Sequence, residues 1–320
     1  PKLKDEFRIL SADIAIEEGR QNDNSIYTLI RLIPNGDKFK REVVYMEHHN
    51  GVDPEAQSIR LKQLFYDFEA DRMIIDVNGA GSSVLTNLQQ AQYDNQRDVH
   101  YDKFQVYNKN GNVDFELGTD GLPVIYAIKP TDKLNNDIIV ALKKAIVSKE
   151  LRLLIDDIEA RNSKANDKNF ILDGDYASDF LYPFLEITHM VHETINLEYE
   201  IGRYGNIAVH EVGRNRKDRF SSLAYGNYLA DEIEKEEIKF AIKKLLQDKK
   251  IVTFKNIKIA LSFKKTEQII FLRTFLKKLE RNGEIYHSKG RGFYSLEKIN
   301  YLSQDILKEQ ILRIVNEFPI

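Results

Sequence analysis

The sequence predicts an α/β fold, a mixed sheet flanked by helices, with a smaller, mainly helical domain after it. Two observations carry this. Over the first 235 residues, short apolar runs alternate with amphipathic stretches of helical period. The charge then changes sign. Residues 236–320 hold 18 Lys and Arg against 10 Asp and Glu, a formal +8, while the first 235 hold 29 against 40, a formal −11. The modest −3 of the whole chain hides an acidic half joined to a basic half, and 320 residues suffice for two domains.

The elements follow in order. Arg8–Ala15 is a strand buried on both faces. Ser25–Ile33 and Lys40–His48 are β-rich runs, and Pro34-Asn35-Gly36-Asp37 between them is a hairpin signal, so three antiparallel strands open the chain. Asp53 is a good N-cap and Pro54 suits a first helical position; Ile59, Leu61, Leu64, Phe65 and Phe68 carry that helix to about Glu69. Met73–Val77 is a short apolar strand ended by Asn78-Gly79-Ala80-Gly81, with a helix from about Ser82 to Ala91. Residues 94–120 are expected to be loop with one short strand. Val124–Ile128 is a strand, a helix begins at Thr131, and Leu151–Ile155 is a strand. Polar residues 156–175 are expected to be irregular. A long helix over Tyr176–Tyr199 is expected to break at Pro183. Asn206–Val212 is extended, and a helix runs from the basic cluster at 214–219 through Glu234.

The basic part has its own pattern. Helices are expected at Glu236–Gln247, Thr253–Ser262 and Thr266–Asn282, the last ended by Gly283, and then two strands joined by Ser288-Lys289-Gly290-Arg291. Three helices and a basic hairpin suggest a winged helix-turn-helix-like domain. Gln304–Phe318 is a terminal amphipathic helix. The expected domains are therefore 1–235, 236–299 and a C-terminal helix in 300–320.

Composition excludes several classes. The chain has no cysteine, so disulfide scaffolds, Cys-ligated zinc or iron–sulfur sites and thiol nucleophiles are ruled out. A hydrophobic share of 42% against 30% charged is that of a globular chain. No apolar run approaches the roughly 20 residues of a membrane span, and no membrane partner is expected. The start lacks a signal-peptide pattern and an initiator Met, which suggests a fragment of a longer protein. No phosphate-binding Gly-x-x-x-x-Gly-Lys loop and no Gly-x-Ser-x-Gly elbow occur.

Three aspartates stand out. Asp13 sits inside an apolar strand, where an unpaired carboxylate costs several kcal/mol. Asp76 closes a second apolar strand, the end at which open α/β sheets gather functional groups. Asp218 begins a helix, where a negative charge is favoured, and Arg214, Arg216, Lys217 and Arg219 surround it. Carboxylates brought together repel unless divalent cations neutralise them, and hard oxygen ligands suit two Mg²⁺ or Mn²⁺ ions. Such a pair activates water and stabilises the leaving oxygen of a phosphodiester. The basic neighbours would hold the DNA backbone. With 50 acidic residues in the chain, a turn residue and a helix cap are the alternative readings of the same aspartates.

A family resemblance favours the first reading. Ile9-Leu10-Ser11-Ala12-Asp13-Ile14-Ala15, with Asp23 and Ser25 beyond it, resembles the first nuclease motif of the tailed-bacteriophage large terminase subunit. Met73–Gly81 resembles the second, and Lys217–Gly226 the third, in the family's order. The resemblance implies an RNase H-like fold over 1–235 and a metal-dependent endonuclease that cuts concatemeric double-stranded DNA during packaging. It implies Asp13, Asp76 and Asp218 as catalytic metal ligands; Asp23 would be an outer-shell carboxylate. It also implies a portal protein, a small terminase subunit and a terminase ATPase domain (missing here) as partners, and a place in the host cytoplasm rather than in the virion. Some family members carry His three residues before the third aspartate; here that residue is Asn215. Another RNase H-like nuclease, such as a junction resolvase or recombinase core, and a non-enzymatic DNA-binding or assembly protein remain the alternatives.

In the basic domain, Ile269, Leu272, Leu276 and Leu279 form an apolar stripe, while Arg273, Lys277 and Arg281 form a basic one. The hairpin adds Lys289 and Arg291. DNA contact is expected there, with a protein-facing surface as the alternative. His189 and His192 have an i, i+3 spacing but no third ligand, so packing is the expected role.

Overall fold

Three strands open the chain: β1 (Phe7–Asp13), β2 (Ser25–Asn35) and β3 (Lys38–His49). They pair antiparallel in sequence order, as the hairpin signal requires. The computed structural model describes residues 1–15, 24–36, 38–108, 120–202, 205–213, 216–288 and 292–297. The chain divides into two units, Pro1–Glu232 and Ile233–Ile320.

Helix α1 (Pro54–Asp67) starts where Asp53 accepts hydrogen bonds from the Glu55 and Ala56 N–H groups. It leads into β4 (Arg72–Asp76), which lies parallel to β1, and then into α2 (Ala80–Leu88). A separate small hairpin follows, β5 (Gln92–Asp94) with β6 (Val99–Tyr101). Next come β7 (Phe104–Val106) and β8 (Leu122–Ile128), so the region expected to hold one short strand holds more. Helix α3 (Asp132–Val147) is capped by Thr131, and β9 (Leu151–Arg152) pairs with β3. The result is a seven-stranded mixed sheet of order β7-β8-β4-β1-β2-β3-β9, flanked by helices.

Strand alternation sorts the side chains. Leu10, Ala12, Met73 and Ile75 pack with Leu61, Leu64 and Phe65 of α1 and Val84, Leu85 and Leu88 of α2. Full burial of one such side chain contributes roughly 1.5–3 kcal/mol. By the period of two, Ser11 and Asp13 of β1, and Ile74 and Asp76 of β4, face the opposite side.

The segment expected to be irregular holds two short helices, α4 (Asp157–Ser163) and α5 (Lys168–Leu172). Its aspartates are helix caps: Asp156 accepts from the Glu159 N–H, and Asp167 from those of Asn169 and Phe170. Helix α6 (Gly174–Ile195) runs through Pro183 without a break. The carbonyl freed by the proline belongs to Asp179, an exposed residue whose backbone water can reach. The chain then turns through a two-stranded ribbon, β10 (Glu198–Ile201) and β11 (Ile207–His210). Helix α7 (Asp218–Lys249) is continuous where two helices were expected. Its first half crosses the Ser11 face: the Ser11 hydroxyl donates to the Ser222 carbonyl (2.6 Å), and the Thr28 and Ser222 hydroxyls bond at 2.8 Å.

The second unit contains the end of α7, then β12 (Val252–Thr253), α8 (Phe254–Ala260), α9 (Thr266–Arg281), β13 (Tyr286–Ser288) and β14 (Phe293–Ser295). Its three strands have the order β12-β14-β13. Ile242, Leu246, Ile257, Phe263, Leu272, Leu276, Leu279 and Ile285 form its core. Helix, strand, two helices and hairpin is the element order of a winged helix-turn-helix. The helix expected within 300–320 lies outside the described residues. Among the described residues no helix is long and apolar enough to cross a membrane.

Candidate active site

Register builds the site first. In the parallel pairing of β1 and β4, Ala12 sits opposite Ile75, so Asp13 and Asp76 leave adjacent strands at the same level. Both face the side covered by α7. In the antiparallel pairing with β2, Asp13 lies opposite Ile26. Two residues earlier, the Asn24 N–H donates to Oδ2 of Asp218 at 2.8 Å. Strand β1 therefore carries Asp13 between Asp76 on one side and Asp218 on the other. Asp218 is 4% exposed and opens α7.

Two helical turns along α7, the Tyr225 hydroxyl donates to Oδ2 of Asp76 at 3.2 Å. Burial, then the charges of Asp13 and Asp76, push that hydroxyl well above its usual range. Tyr225 thus lies within electrostatic reach of both strand-end carboxylates. Burial also pushes the Asp76 carboxyl up, while the Asn78 N–H and the Tyr225 hydroxyl pull the other way. An ideal Cβ on Gly81 would lie 1.9 Å from the Asp76 carbonyl oxygen, so the turn after β4 closes only with glycine there. Gly226 plays a similar part in α7. A Cβ there would lie 2.6 Å from Ile30 Cδ1 and 3.0 Å from Ser11 Cβ.

Beside the carboxylates lies an open cleft of about 680 Å³, lined by Asp76, Asn78, Asn135, His210, Lys217 and Tyr225 among others. Among the described members of the expected basic cluster, Lys217 alone lines this wall. Arg216 places a guanidinium nitrogen 3.7 Å from Asp218 Oδ2. Arg219 corrects the expectation of DNA contact. Its side chain is buried, with Nε bonded to Glu186 at 2.8 Å and Nη1 to Glu193 at 2.6 Å, so no phosphate reaches it. Glu193 also accepts the Arg219 backbone N–H at 3.0 Å and so holds the first turn of α7. Burial pushes the Glu186 carboxyl up, but His48 and Arg219 outweigh it and leave it below its ordinary value.

Asp23, Arg214, Lys289 and Arg291 lie outside the described residues. Arg273, Lys277 and Arg281 are exposed on α9, in the second unit. His189 Nδ1 lies 3.9 Å from Glu186 Oε1. Among the described residues no three Asp, Glu or His groups gather tightly enough around one point to hold a single ion. Sequence reasoning missed Tyr225, Glu186 and Glu193. Their signal was the i, i+7 spacing of Asp218 with Tyr225, and of Glu186 with Glu193, which puts each pair on one helix face.

Residues 11–156 match the family model described as the Terminase RNaseH-like domain. The match covers 146 of the 320 residues. The matched span includes Asp13 and Asp76 and ends before Asp218, whose place beside the strand ends rests on the geometry above. The chain is similar to the large terminase nuclease of thermophilic phage G20c in its magnesium-bound and cobalt-bound crystal structures. Each is 15% identical and has a TM-score of 0.41, over 71% of this chain and 82% of that one. It is also similar to the large terminase nuclease domain of Thermus phage P74-26, with 16% identity and a TM-score of 0.36, over 70% of this chain and 80% of that one. No curated protein matches the chain.

Proposed function

We propose that this chain is a metal-dependent endodeoxyribonuclease that cuts concatemeric double-stranded DNA for a viral packaging terminase. Two observations support the reading: register brings Asp13 and Asp76 to neighbouring strand ends, and the Asn24 N–H ties Asp218 to the start of β2, beside β1. The donor set fits hard divalent cations. It is all carboxylate, the hard oxygen donor that such cations prefer.

Asp13, Asp76 and Asp218 would hold two Mg²⁺ or Mn²⁺ ions. When bound, these would supply water activation and charge stabilisation at the leaving oxygen. The chain's own residues do the rest. Tyr225 orients the Asp76 carboxylate, and the Asn24 N–H fixes that of Asp218. Lys217 presents a positive charge on the cleft wall to a DNA phosphate. No side chain acts as a nucleophile. A terminase ATPase domain, the portal protein and the small terminase subunit are the proposed partners, in the host cytoplasm.

Supercoiled-plasmid cleavage tests this. Asp76→Ala should abolish the Mg²⁺- or Mn²⁺-dependent cutting seen with the unmodified chain, with an unchanged circular dichroism spectrum, and chelation of the metal should do the same. Undiminished cutting by Asp76→Ala would sink the assignment.

A further inference from the structure

The solvent face of α9 has the chemistry of a sequence-reading surface. Between Phe254 and Arg281 the chain carries eight Lys and Arg against two Glu. Leu272, Leu276 and Leu279 turn one face of α9 into the core of the second unit. The opposite face presents Ile270, Thr274, Lys277 and Arg281, at i, i+4, i+7 and i+11, one above another along the helix. Ile270 is 58% exposed, so its methyl groups are open to a partner. The Thr274 hydroxyl donates back to the Ile270 carbonyl at 3.1 Å, which occupies its proton and leaves its methyl group outward. Arg273, on the flank, has its guanidinium 5.5 Å from the centre of the Phe254 ring. By contrast, Lys239 and Lys243 of the same unit are ion-paired with Glu284.

From this face we infer that α9 enters the major groove of duplex DNA and reads sequence there. Methyl groups of isoleucine and threonine match the thymine methyl, an Arg or Lys matches the O6 and N7 acceptors of guanine, and flanking cations match phosphates. The charge of the face favours DNA over a protein partner. The second unit would thereby bias where the chain engages DNA.

Binding of the full chain to fluorescent duplexes, measured without divalent cation so that cleavage plays no part, tests the inference. Selection from a random duplex pool should enrich a motif. Lys277→Ala with Arg281→Ala should weaken binding about tenfold or more and lower the slope of log affinity against log salt by about 2. Ile270→Ala should keep binding to bulk DNA but flatten the preference for the enriched motif. Lys239→Ala with Lys243→Ala removes the same charge from another face and should change affinity less than twofold. Unchanged affinity and slope in the Lys277/Arg281 variant would overturn the inference and leave a protein as the occupant of this face. Equal losses in both double variants, or a pool without enrichment, would overturn it as well.

Discussion

Single atoms decide whether α7 can lie where it does. Gly226 faces Ser11 and Ile30 with no room for a methyl group, since its Cβ would come within 2.6 Å of Ile30 Cδ1. Gly226→Ala should destabilise the first unit by about 1–3 kcal/mol, the usual cost of overpacking, despite alanine's better helix propensity. Urea unfolding measures this; a stabilised variant would mean that α7 packs less closely than described. At this scale the sequence was half legible. Asp13 and Asp76 could be read because a charge within an apolar strand is anomalous on its own. Tyr225 could not, because a tyrosine among Phe220, Leu223 and Ala224 looks like core until Asp76 is found 3.2 Å away.

Elements were read where local chemistry sets them. The first three strands, the helices opened by Asp53 and Thr131, and the turn after β4 all carry caps or turn residues at their ends. Errors arose where composition changed but conformation did not. Between Asn227 and Lys249 the sequence passes from acidic to lysine-rich with no Gly or Pro, so nothing stops the helix, and α7 runs on. The basic cluster before α7 misled in another way, since a charge count cannot show that Arg219 is spent on two glutamates of α6. That clamp gives an element-scale prediction. Arg219→Ala leaves Glu186 and Glu193 buried without their cation and should cost about 3–5 kcal/mol, as removal of one member of a buried pair does. Adding Glu186→Gln and Glu193→Gln should recover part of the loss, read as a higher unfolding temperature than that of Arg219→Ala alone.

For the whole molecule, acid stability follows from two buried carboxylates, Glu6 just before β1 and Glu47 in β3. Hydrogen bonds from Arg31, outweighing burial, hold the Glu6 carboxyl at about 2. Burial pushes Glu47 up, but His49 and Arg60 outweigh it and also leave it at about 2. Both folded values lie below the ordinary 4.5, so their stabilisation is complete above that pH and is lost as pH falls toward 2. The urea midpoint should drop steeply between pH 5 and 3, and Glu6→Gln with Glu47→Gln should flatten that drop while lowering the midpoint at neutral pH. An equally steep fall in the double variant would place the acid sensitivity elsewhere.

The bond from the Asn24 N–H to Asp218 joins residues 194 positions apart. A ribosome adding about 5–20 residues per second makes the first partner roughly 10–40 s before the second. For most of that interval, from residue 76 onward, the growing chain holds Asp13 and Asp76 but not their third companion. Synthesis itself is thus a timer: the carboxylate set stays incomplete until α7 has emerged and packed onto β1 and β2.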